Sequence, residues 1–261
     1  MHKRAVGAVV LLGLVIVATV ALLLVRRDPS PPPPVVPEAP DTRTLLVQLR
    51  DPALLARASV LVGVEQERLD QLWWTTQWWV DQIGSEEVSA AELGRKPVPY
   101  VMETVQDQID VKIDDAWVLD RLAFAGLVDA VGGVRIDVAE PTIYLTDRGD
   151  EAVLQAGVQT VSGAQAADYV LDAALRDETT RLRRFQAVWD QVLRRFPTDS
   201  EKARALVVSL GALSKATMPN EALSTLLSDA HALRIAGDYA QATVALDDQN
   251  RIRVRPPQGV R

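Results

Sequence analysis

The sequence predicts an α/β fold: an α-β-α sandwich with a mixed central sheet, preceded by one transmembrane helix. Short β-branched and aliphatic runs alternate with amphipathic segments of about 10 to 15 residues along most of the chain. Within Leu127–Val138, an apolar helical pattern ends at two glycines and changes into a strand in which Val134, Ile136 and Val138 alternate with charged residues. A third observation, the uncharged run Ala5–Val25, predicts the membrane helix.

The composition excludes several classes of site. The chain has 261 residues and 48% hydrophobic content, which suits one folded domain. It has no cysteine and two histidines, His2 and His231, so disulfides, thiolate nucleophiles and a histidine-rich metal site are excluded. A Ser-His-Asp triad would have to use His231, whose helical, apolar surroundings are more typical of a structural residue. Residues 1–27 contribute +4 to the net charge of −7, so the rest carries −11, which argues against nucleic-acid binding.

Residues 1–27 are predicted to be an N-terminal tail and a transmembrane anchor. The run Ala5–Val25 has 21 residues, and a helix of that length spans the hydrocarbon core of a bilayer, about 30 Å. A cleaved signal peptide is the alternative, but its apolar region is usually about 7 to 15 residues long, and no small-residue cleavage motif follows this one. Basic residues flank both ends of the run, so the positive-inside rule leaves the orientation nearly undecided.

Residues 28–41 are predicted to be a proline-rich linker. The segment contains seven prolines, a density that favours an extended polyproline II spacer of about 3 Å per residue. Such a spacer would hold the following domain up to about 40 Å from the membrane. A proline-rich ligand for a recognition domain is the alternative.

Residues 42–255 are predicted to form one domain, followed by a tail at 256–261. Ser162 and Gln165 have the spacing of a capping box, so one helix is expected to begin at Gly163. The other elements follow from apolar periodicity and turn residues. They are strands at 44–49, 59–64, 134–138 and 242–246, and helices at 99–113, 120–131, 182–196, 200–213 and 220–233, the last with Asn220 as its cap.

Five motifs, in this order, resemble the LytR-CpsA-Psr family. They are Val105-x-x-x-Ile109, the run Leu127–Val134, Leu154-x-Ala156-Gly157-Val158-Gln159, Ser162-Gly163-x-Gln165-Ala166-x-x-Tyr169-Val170 and Arg181-x-x-Arg184. The resemblance covers most of residues 44–247. It implies an extracytoplasmic domain of a family whose bacterial members transfer glycopolymers from a polyprenyl lipid onto the cell envelope.

The chain departs from this family at the positions of its metal ligands. The resemblance implies an acid at the end of the first strand and another opening the second, which hold Mg²⁺ against the lipid pyrophosphate. Arg50 stands at the first position, with Asp51 one residue further on, and Ala58 or Ser59 stands at the second. We therefore predict no metal ligands and no cofactor, unless a shift in register lets Asp51 substitute.

The arginines that the resemblance implies are also largely replaced. Alignment of the family's Ile-Pro-Arg-Asp segment puts Thr76 at the arginine and Gln77 at the acid, which leaves hydrogen bonding to a phosphate without charge. A later pair of arginines is replaced by Leu171 and Ala173.

Arg181 and Arg184 keep the last arginine motif of the family. They are about 60° apart around a helix, on one flank of the apolar stripe Leu182–Phe196, and could jointly reach an anion. The alternative is that they form the solvated face of an amphipathic helix together with Arg183. The predicted ligand-binding residues, for pyrophosphate or another anion, are Arg50, Thr76, Gln77, Arg181 and Arg184, and we predict no catalytic residue.

Four tryptophans lie within seven residues, at Trp73, Trp74, Trp78 and Trp79. Because an indole pairs a large apolar face with one donor, the group could form a sugar-stacking or membrane-interface surface. The alternative is core packing on alternate faces of a strand and its exit.

Three functional hypotheses follow. In the first, a single-pass protein of the cell membrane, with its domain outside the cytoplasm, has lost transferase activity and binds a polyprenyl-phosphate lipid, an envelope glycopolymer or an active family member. In the second, it is a divergent Mg²⁺-dependent phosphotransferase that attaches glycopolymers from a polyprenyl-pyrophosphate carrier to the cell wall, using Arg50, Asp51, Arg181 and Arg184. In the third, it is a structural envelope scaffold without a ligand.

Overall fold

The computed structural model describes residues 42–75, 79–80, 88–246 and 252–255. The strands are β1 Arg43–Arg50, β2 Ala56–Glu65, β3 Arg68–Trp74, β4 Trp79–Val80, β5 Val88–Ser89, β6 Asp115–Leu119, β7 Val134–Val138, β8 Thr142–Leu145, β9 Glu151–Leu154, β10 Gly157–Val161, β11 Ser214–Ala216, β12 Tyr239–Leu246 and β13 Ile252–Arg255. The α-helices are α1 Val98–Ile109, α2 Arg121–Ala130, α3 Gly163–Leu171, α4 Glu178–Arg195, α5 Ser200–Ser209 and α6 Asn220–Ala236, and 3-10 helices lie at Glu92–Arg95 and Gly211–Leu213.

The main sheet has seven strands in the order β11-β6-β1-β2-β3-β12-β13. Strand β1 runs parallel to β6, and β3 runs parallel to β12. The other neighbours are antiparallel, including the central pairs β1–β2 and β2–β3. The predicted mixed sheet is therefore confirmed. Smaller two-stranded sheets pair β7 with β10, β8 with β9 and β4 with β5.

Helices cover both faces of the main sheet. Alternate side chains of a strand point to opposite faces, so Leu45, Val47 and Leu49 of β1 enter the larger core, which includes residues of α2 to α6. Leu46 enters the smaller core with Val101 of α1 and with residues of the first 3-10 helix. This arrangement confirms the predicted α-β-α sandwich.

The predicted junction between α2 and β7 is also confirmed. Gly132 and Gly133 have φ angles of 83° and 76°, a left-handed conformation that glycine adopts without steric cost. The amide of Gly133 donates to the carbonyl of Val128 at 2.9 Å, which closes the end of the helix. Strand β7 then alternates buried and exposed residues, as predicted.

The capping box begins α3 where the sequence predicts. The amide of Ser162 donates to Gln165 Oε1 at 3.0 Å, and the amide of Gln165 donates to Ser162 Oγ at 3.4 Å. A Cβ atom on Gly163 would lie 1.9 Å from the carbonyl oxygen of Ala125. Only glycine therefore permits α3 to approach α2 this closely, and α3 leads directly into the candidate site.

Two predicted helices are shorter than expected. The helix predicted at 99–113 ends at Ile109, because Asp110 takes a left-handed conformation with φ 53° and donates its amide to the carbonyl of Gln106 at 2.9 Å. The helix predicted at 200–213 ends at Ser209, and a separate 3-10 turn follows.

The predicted cap of α6 is wrong. Pro219 precedes the helix, and no side chain accepts a hydrogen bond from the first turn. Asn220 is instead the first helical residue, since the fixed φ of proline already sets the chain direction at the helix entrance. The helix continues past the predicted end to Ala236 and stops at Gly237, with φ 90°.

In the part of the chain that the structure describes, no helix has the length and apolar character needed to cross a bilayer. The anchor predicted at 1–27, the linker predicted at 28–41 and the tail predicted at 256–261 lie outside the described residues.

Candidate functional site

The candidate site lies where β1 ends, β2 begins and α4 contributes its first turn. A short loop, residues 51–55, joins the two strands. Asp51 closes this loop, because its Oδ1 accepts the amide of Leu55 at 2.9 Å and its Oδ2 accepts Nε of Arg57 at 2.8 Å. The carboxylate therefore has a donor on each oxygen.

The 3-10 helix Glu92–Arg95 packs against this loop. The amide of Ala56 donates to the carbonyl of Ala91 at 2.8 Å. A Cβ atom on Gly94 would lie 2.3 Å from the carbonyl oxygen of Leu54 and 2.4 Å from the amide nitrogen of Ala56. The loop is thus packed directly against the 3-10 helix, which fixes the backbone on both sides of Asp51.

Arg50 is the last residue of β1, and its guanidinium is only partly satisfied. Nε donates to Gln48 Oε1 at 2.7 Å, and the Gln48 side chain is itself buried. Nη2 is buried and has no hydrogen-bond partner. Burial lowers the pKa of Arg50 below that of a free guanidinium. The group therefore carries a charge that is poorly solvated and a donor that is unused.

Arg181 is almost fully buried, with 2% of its surface exposed. Nη1 donates to the carbonyls of Val170 and Asp172 at 3.0 and 3.1 Å, and Nη2 donates to that of Leu175 at 2.6 Å. Nε lies 3.3 Å from Glu178 Oε2. These contacts fix the segment that connects α3 to α4, because two of its carbonyls and one from the last turn of α3 converge on one guanidinium.

Arg184 reaches the same connection from one turn further along α4. Nη1 donates to the carbonyl of Tyr169 at 2.8 Å and to Asp172 Oδ2 at 3.2 Å. Its Cζ also lies 4.4 Å from the centre of the Tyr169 ring, a cation–π contact. Asp172 Oδ1 accepts the amides of Leu145 and Ala174, so this buried carboxylate joins β8, α4 and the connection.

The alternative in which α4 presents all three arginines to solvent is wrong for two of them. Arg181 and Arg184 are buried, whereas Arg183 is exposed. A joint grip on an anion by the two buried arginines would require some of the carbonyl contacts to be released. Their role in anion binding stays a prediction.

Arg57 belongs to this site, and the sequence reasoning missed it. It pairs with Asp51. The pKa of Arg181 is lowered mainly by burial, whereas the charge of Glu178 raises it. The charge of Arg57 lowers the pKa of Arg181 further. The two guanidinium groups therefore share a neighbourhood. The signal in the sequence was the opposite charge of Asp51 and Arg57 on either side of a short loop between strands.

We call Arg57, Arg181 and Arg184 the arginine cluster. Arg50 lies at the same end of the sheet, with its guanidinium on Gln48. Thr76 and Gln77, the other two predicted anion ligands, lie outside the described residues. Leu171 is half-buried and Ala173 is exposed at the positions of the missing arginine pair.

The residues of the site do not fit Mg²⁺. This ion prefers several oxygen ligands in octahedral geometry, but the Asp51 carboxylate is already paired with the cationic side chain of Arg57. Ala58 and Ser59, at the second acid position, supply no carboxylate and are buried in β2. Over the described ranges, no group of three or more His, Cys, Asp or Glu residues could hold a metal.

The tryptophans of β3 are core residues, so the predicted sugar-stacking or membrane surface is wrong for them. Trp73 and Trp74 are 0% and 4% exposed and enter the cores on opposite faces of the sheet. Trp73 packs edge-on against Phe185 of α4, with ring centres 5.6 Å apart. Trp78 and the side chain of Trp79 lie outside the described residues.

The core beside α4 is filled by aromatic side chains. Phe185 contacts Phe124 and Trp189 with ring centres 5.8 and 6.1 Å apart, and Trp189 lies 6.4 Å from Trp117. All four are 0% exposed. This packing opposes the presence of a wide apolar channel between α4 and the sheet.

A separate cavity of about 450 Å³ lies at the far end of β1, lined by residues that include Thr42, Thr44, Leu61 and Leu72. At about 3.3 Å per residue, Thr44 and Arg50 are roughly 20 Å apart along the strand. The cavity and the arginine cluster are therefore distinct places on the sheet.

His231 is a packing residue of α6 rather than a triad member. Its Nδ1 lies 2.7 Å from the carbonyl oxygen of Leu193 on α4, so that ring nitrogen is engaged by the backbone.

Comparisons with known proteins agree with this architecture. Residues 90–252 match the model of the LytR_cpsA_psr family. The fold is similar to that of B. subtilis TagV, with a TM-score of 0.68 and 13% identity over 84% of this chain and 92% of that one. It is similar to a LytR-Csp2A-Psr enzyme from Actinomyces oris, with a TM-score of 0.63 and 20% identity over 84% and 89% of the two chains. It is also similar to TagT bound to LI-WTA, with a TM-score of 0.63 and 17% identity over 84% of this chain and 85% of that one. No curated protein matches the chain.

Proposed function

Because the chain belongs to the LytR_cpsA_psr family, we propose that it is a single-pass cell-envelope protein that binds the phosphate-bearing head of a polyprenyl lipid carrier without transferring the attached glycopolymer. The domain lies outside the cytoplasm in this proposal, held to the membrane by residues 1–27. An envelope glycopolymer and an active family member are the alternative binding partners.

The state of Asp51 is the observation that carries the proposal. A transferase that relies on Mg²⁺ needs carboxylate oxygens that can hold the ion without competition from a cationic side chain. Asp51 is the nearest acid to the expected position, and both of its oxygens are bound by Leu55 and Arg57. A metal ion bound there would compete with the Arg57 guanidinium for this carboxylate, and Ala58 and Ser59 supply no second one, so the binding function is favoured over the chemical one.

Anion binding is supported by the balance of charge at this end of the sheet. Arg50, Arg57, Arg181 and Arg184 bring four guanidinium groups, whereas Asp51, Asp172 and Glu178 bring three carboxylates. Guanidinium groups match phosphate oxygens in a bidentate manner and stay charged when partly buried. In the proposal, Arg50 and Arg57 contact the head group, and Arg181 and Arg184 position the connection between α3 and α4 beside it.

The test is to incubate the full-length protein in detergent micelles with a saccharide linked to polyprenyl pyrophosphate. We expect mass spectrometry to find bound lipid and no cleavage product, with or without Mg²⁺. Arg57→Ala should weaken binding by about tenfold, the loss of one charge-assisted contact. Arg183→Ala is the matched control, because Arg183 is an exposed arginine of α4 outside the cluster.

Two results would overturn the proposal. Cleavage that depends on Mg²⁺ and is abolished by Arg181→Ala would establish the divergent phosphotransferase instead. Neither bound lipid nor cleavage would favour a scaffold without a ligand. The location has its own test: a protease added to intact cells should digest the domain if it lies outside the membrane.

A further inference from the structure

We infer that the guanidinium of Arg50 replaces the divalent cation of the family site, so that this protein binds a phosphoryl anion without any metal ion. The inference rests on the proposed anion binding and concerns its cation requirement. It starts from the mismatch between the residues present and Mg²⁺, because the position where the family implies a metal-binding acid carries a fixed positive charge.

The first support is the unused donor of Arg50. Nη2 is buried and has no hydrogen-bond partner, although Nε of the same group is held by Gln48 at 2.7 Å. A buried donor without a partner is costly, and a charged one more so. An anion that accepts from Nη2 would remove that cost, and Nη2 has no existing hydrogen bond to give up.

The second support is that the surroundings of Arg50 are already fixed. Gln48 is 3% exposed, and Ser59 lies opposite it in the register of β1 and β2. The loop that follows is closed by Asp51 and packed against Gly94. Since the backbone and Nε are held before any ligand arrives, little conformational freedom is lost on binding.

The third support is electrostatic. A dication placed beside Asp51 would face the charge of Arg57, which pairs with that carboxylate, whereas a phosphoryl group would meet the same guanidinium favourably. The charge of a guanidinium also offsets the repulsion between phosphate oxygens, which is one of the roles of a bound metal. The arrangement can therefore hold an anion that a carboxylate-lined site could hold only through a cation.

The inference is tested by titration calorimetry on the full-length protein in micelles, with inorganic pyrophosphate and farnesyl pyrophosphate as probes, in EDTA and in MgCl₂. We expect the dissociation constant of each probe to agree within about twofold between the two conditions. Tighter binding of the farnesyl form would identify a lipid head group as the source of the anion, and equal binding would identify a free phosphate.

Three variants sharpen the test. Arg50→Ala should weaken binding in EDTA by about tenfold or more. Arg50→Lys keeps the charge and loses the planar fork, so it should bind more weakly than the native protein but still without metal. Arg50→Asp restores the family acid, and we expect binding in EDTA to be lost and partly recovered with MgCl₂. Arg183→Ala should leave all values unchanged.

The outcomes separate this inference from the proposed function. Binding that requires MgCl₂ in the native protein would overturn the metal-free site and leave lipid binding intact. No binding of either probe in either condition would overturn both. Unchanged binding in Arg50→Ala and Arg50→Lys, with a native thermal unfolding profile, would show that another group binds the anion and would also overturn the inference.

Discussion

Replacement of Asp172 by alanine should cost more stability than the loss of any exposed acid in this domain. Asp172 and Arg184 are 3% and 8% exposed, and their side chains meet at 3.2 Å. Removing one partner of a buried ion pair leaves an uncompensated charge, which typically costs about 3–5 kcal/mol. The amides of Leu145 and Ala174 also lose their acceptor in this variant.

The assay is urea unfolding followed by tryptophan fluorescence. We expect Asp172→Ala to lower the free energy of unfolding by about 3–5 kcal/mol, and Glu140→Ala, an exposed acid, to change it by less than about 0.5 kcal/mol. Adding Arg184→Met to Asp172→Ala should recover part of the loss, because the buried charge is then gone. An exposed salt bridge contributes at most about 1 kcal/mol. A loss of unfolding free energy below that value for Asp172→Ala would refute the reasoning.

Two further substitutions probe the frame of the domain. Gly163→Ala should destabilise the protein by about 3 kcal/mol or more in the same assay, because its Cβ would lie 1.9 Å from the carbonyl oxygen of Ala125. Burial raises the pKa of Asp114, but hydrogen bonds from Lys112 and Thr44 outweigh it and leave that pKa below its usual range. Asp114 therefore contributes stability above its unfolded pKa that is lost as the pH falls through the folded pKa, and Asp114→Asn should flatten the acid branch of the stability profile.

Each of these two predictions can be contradicted by a specific result. A native unfolding midpoint for Gly163→Ala would mean that α2 and α3 are not in close contact. An unchanged acid slope in Asp114→Asn, measured between neutral pH and the onset of acid unfolding, would mean that other carboxylates account for the loss of stability.

Local signals in the sequence predicted the frame of the domain well. The capping box at Ser162 and the paired glycines at 132 and 133 act through neighbouring backbone atoms, so their outcome is visible in a short window. The predicted helix boundaries were wrong where a single residue took an unexpected conformation. Asp110 turned left-handed and ended α1, and Pro219 directed the entry of α6 so that Asn220 became helical.

The candidate site was harder to predict, because its geometry depends on segments far apart in the chain. Helical spacing placed Arg181 and Arg184 on one flank of α4 correctly. It could not show that the connection around Asp172 folds back over both guanidinium groups and buries them. The pairing of Asp51 with Arg57 likewise depends on a loop whose shape is set by the 3-10 helix at Glu92–Arg95.

The parallel pairing of β3 with β12 joins two segments that are far apart in the chain. Gln71 and Gln241, which face each other across that pair, are 170 residues apart in the chain. Until β12 has been synthesised, β3 has an open edge that can pair with other chains. Completion of the sheet therefore depends on a contact of high sequence separation, a kind of contact that forms slowly in general. A chain cut short before β12 would expose that edge permanently and would be a target for aggregation or proteolysis.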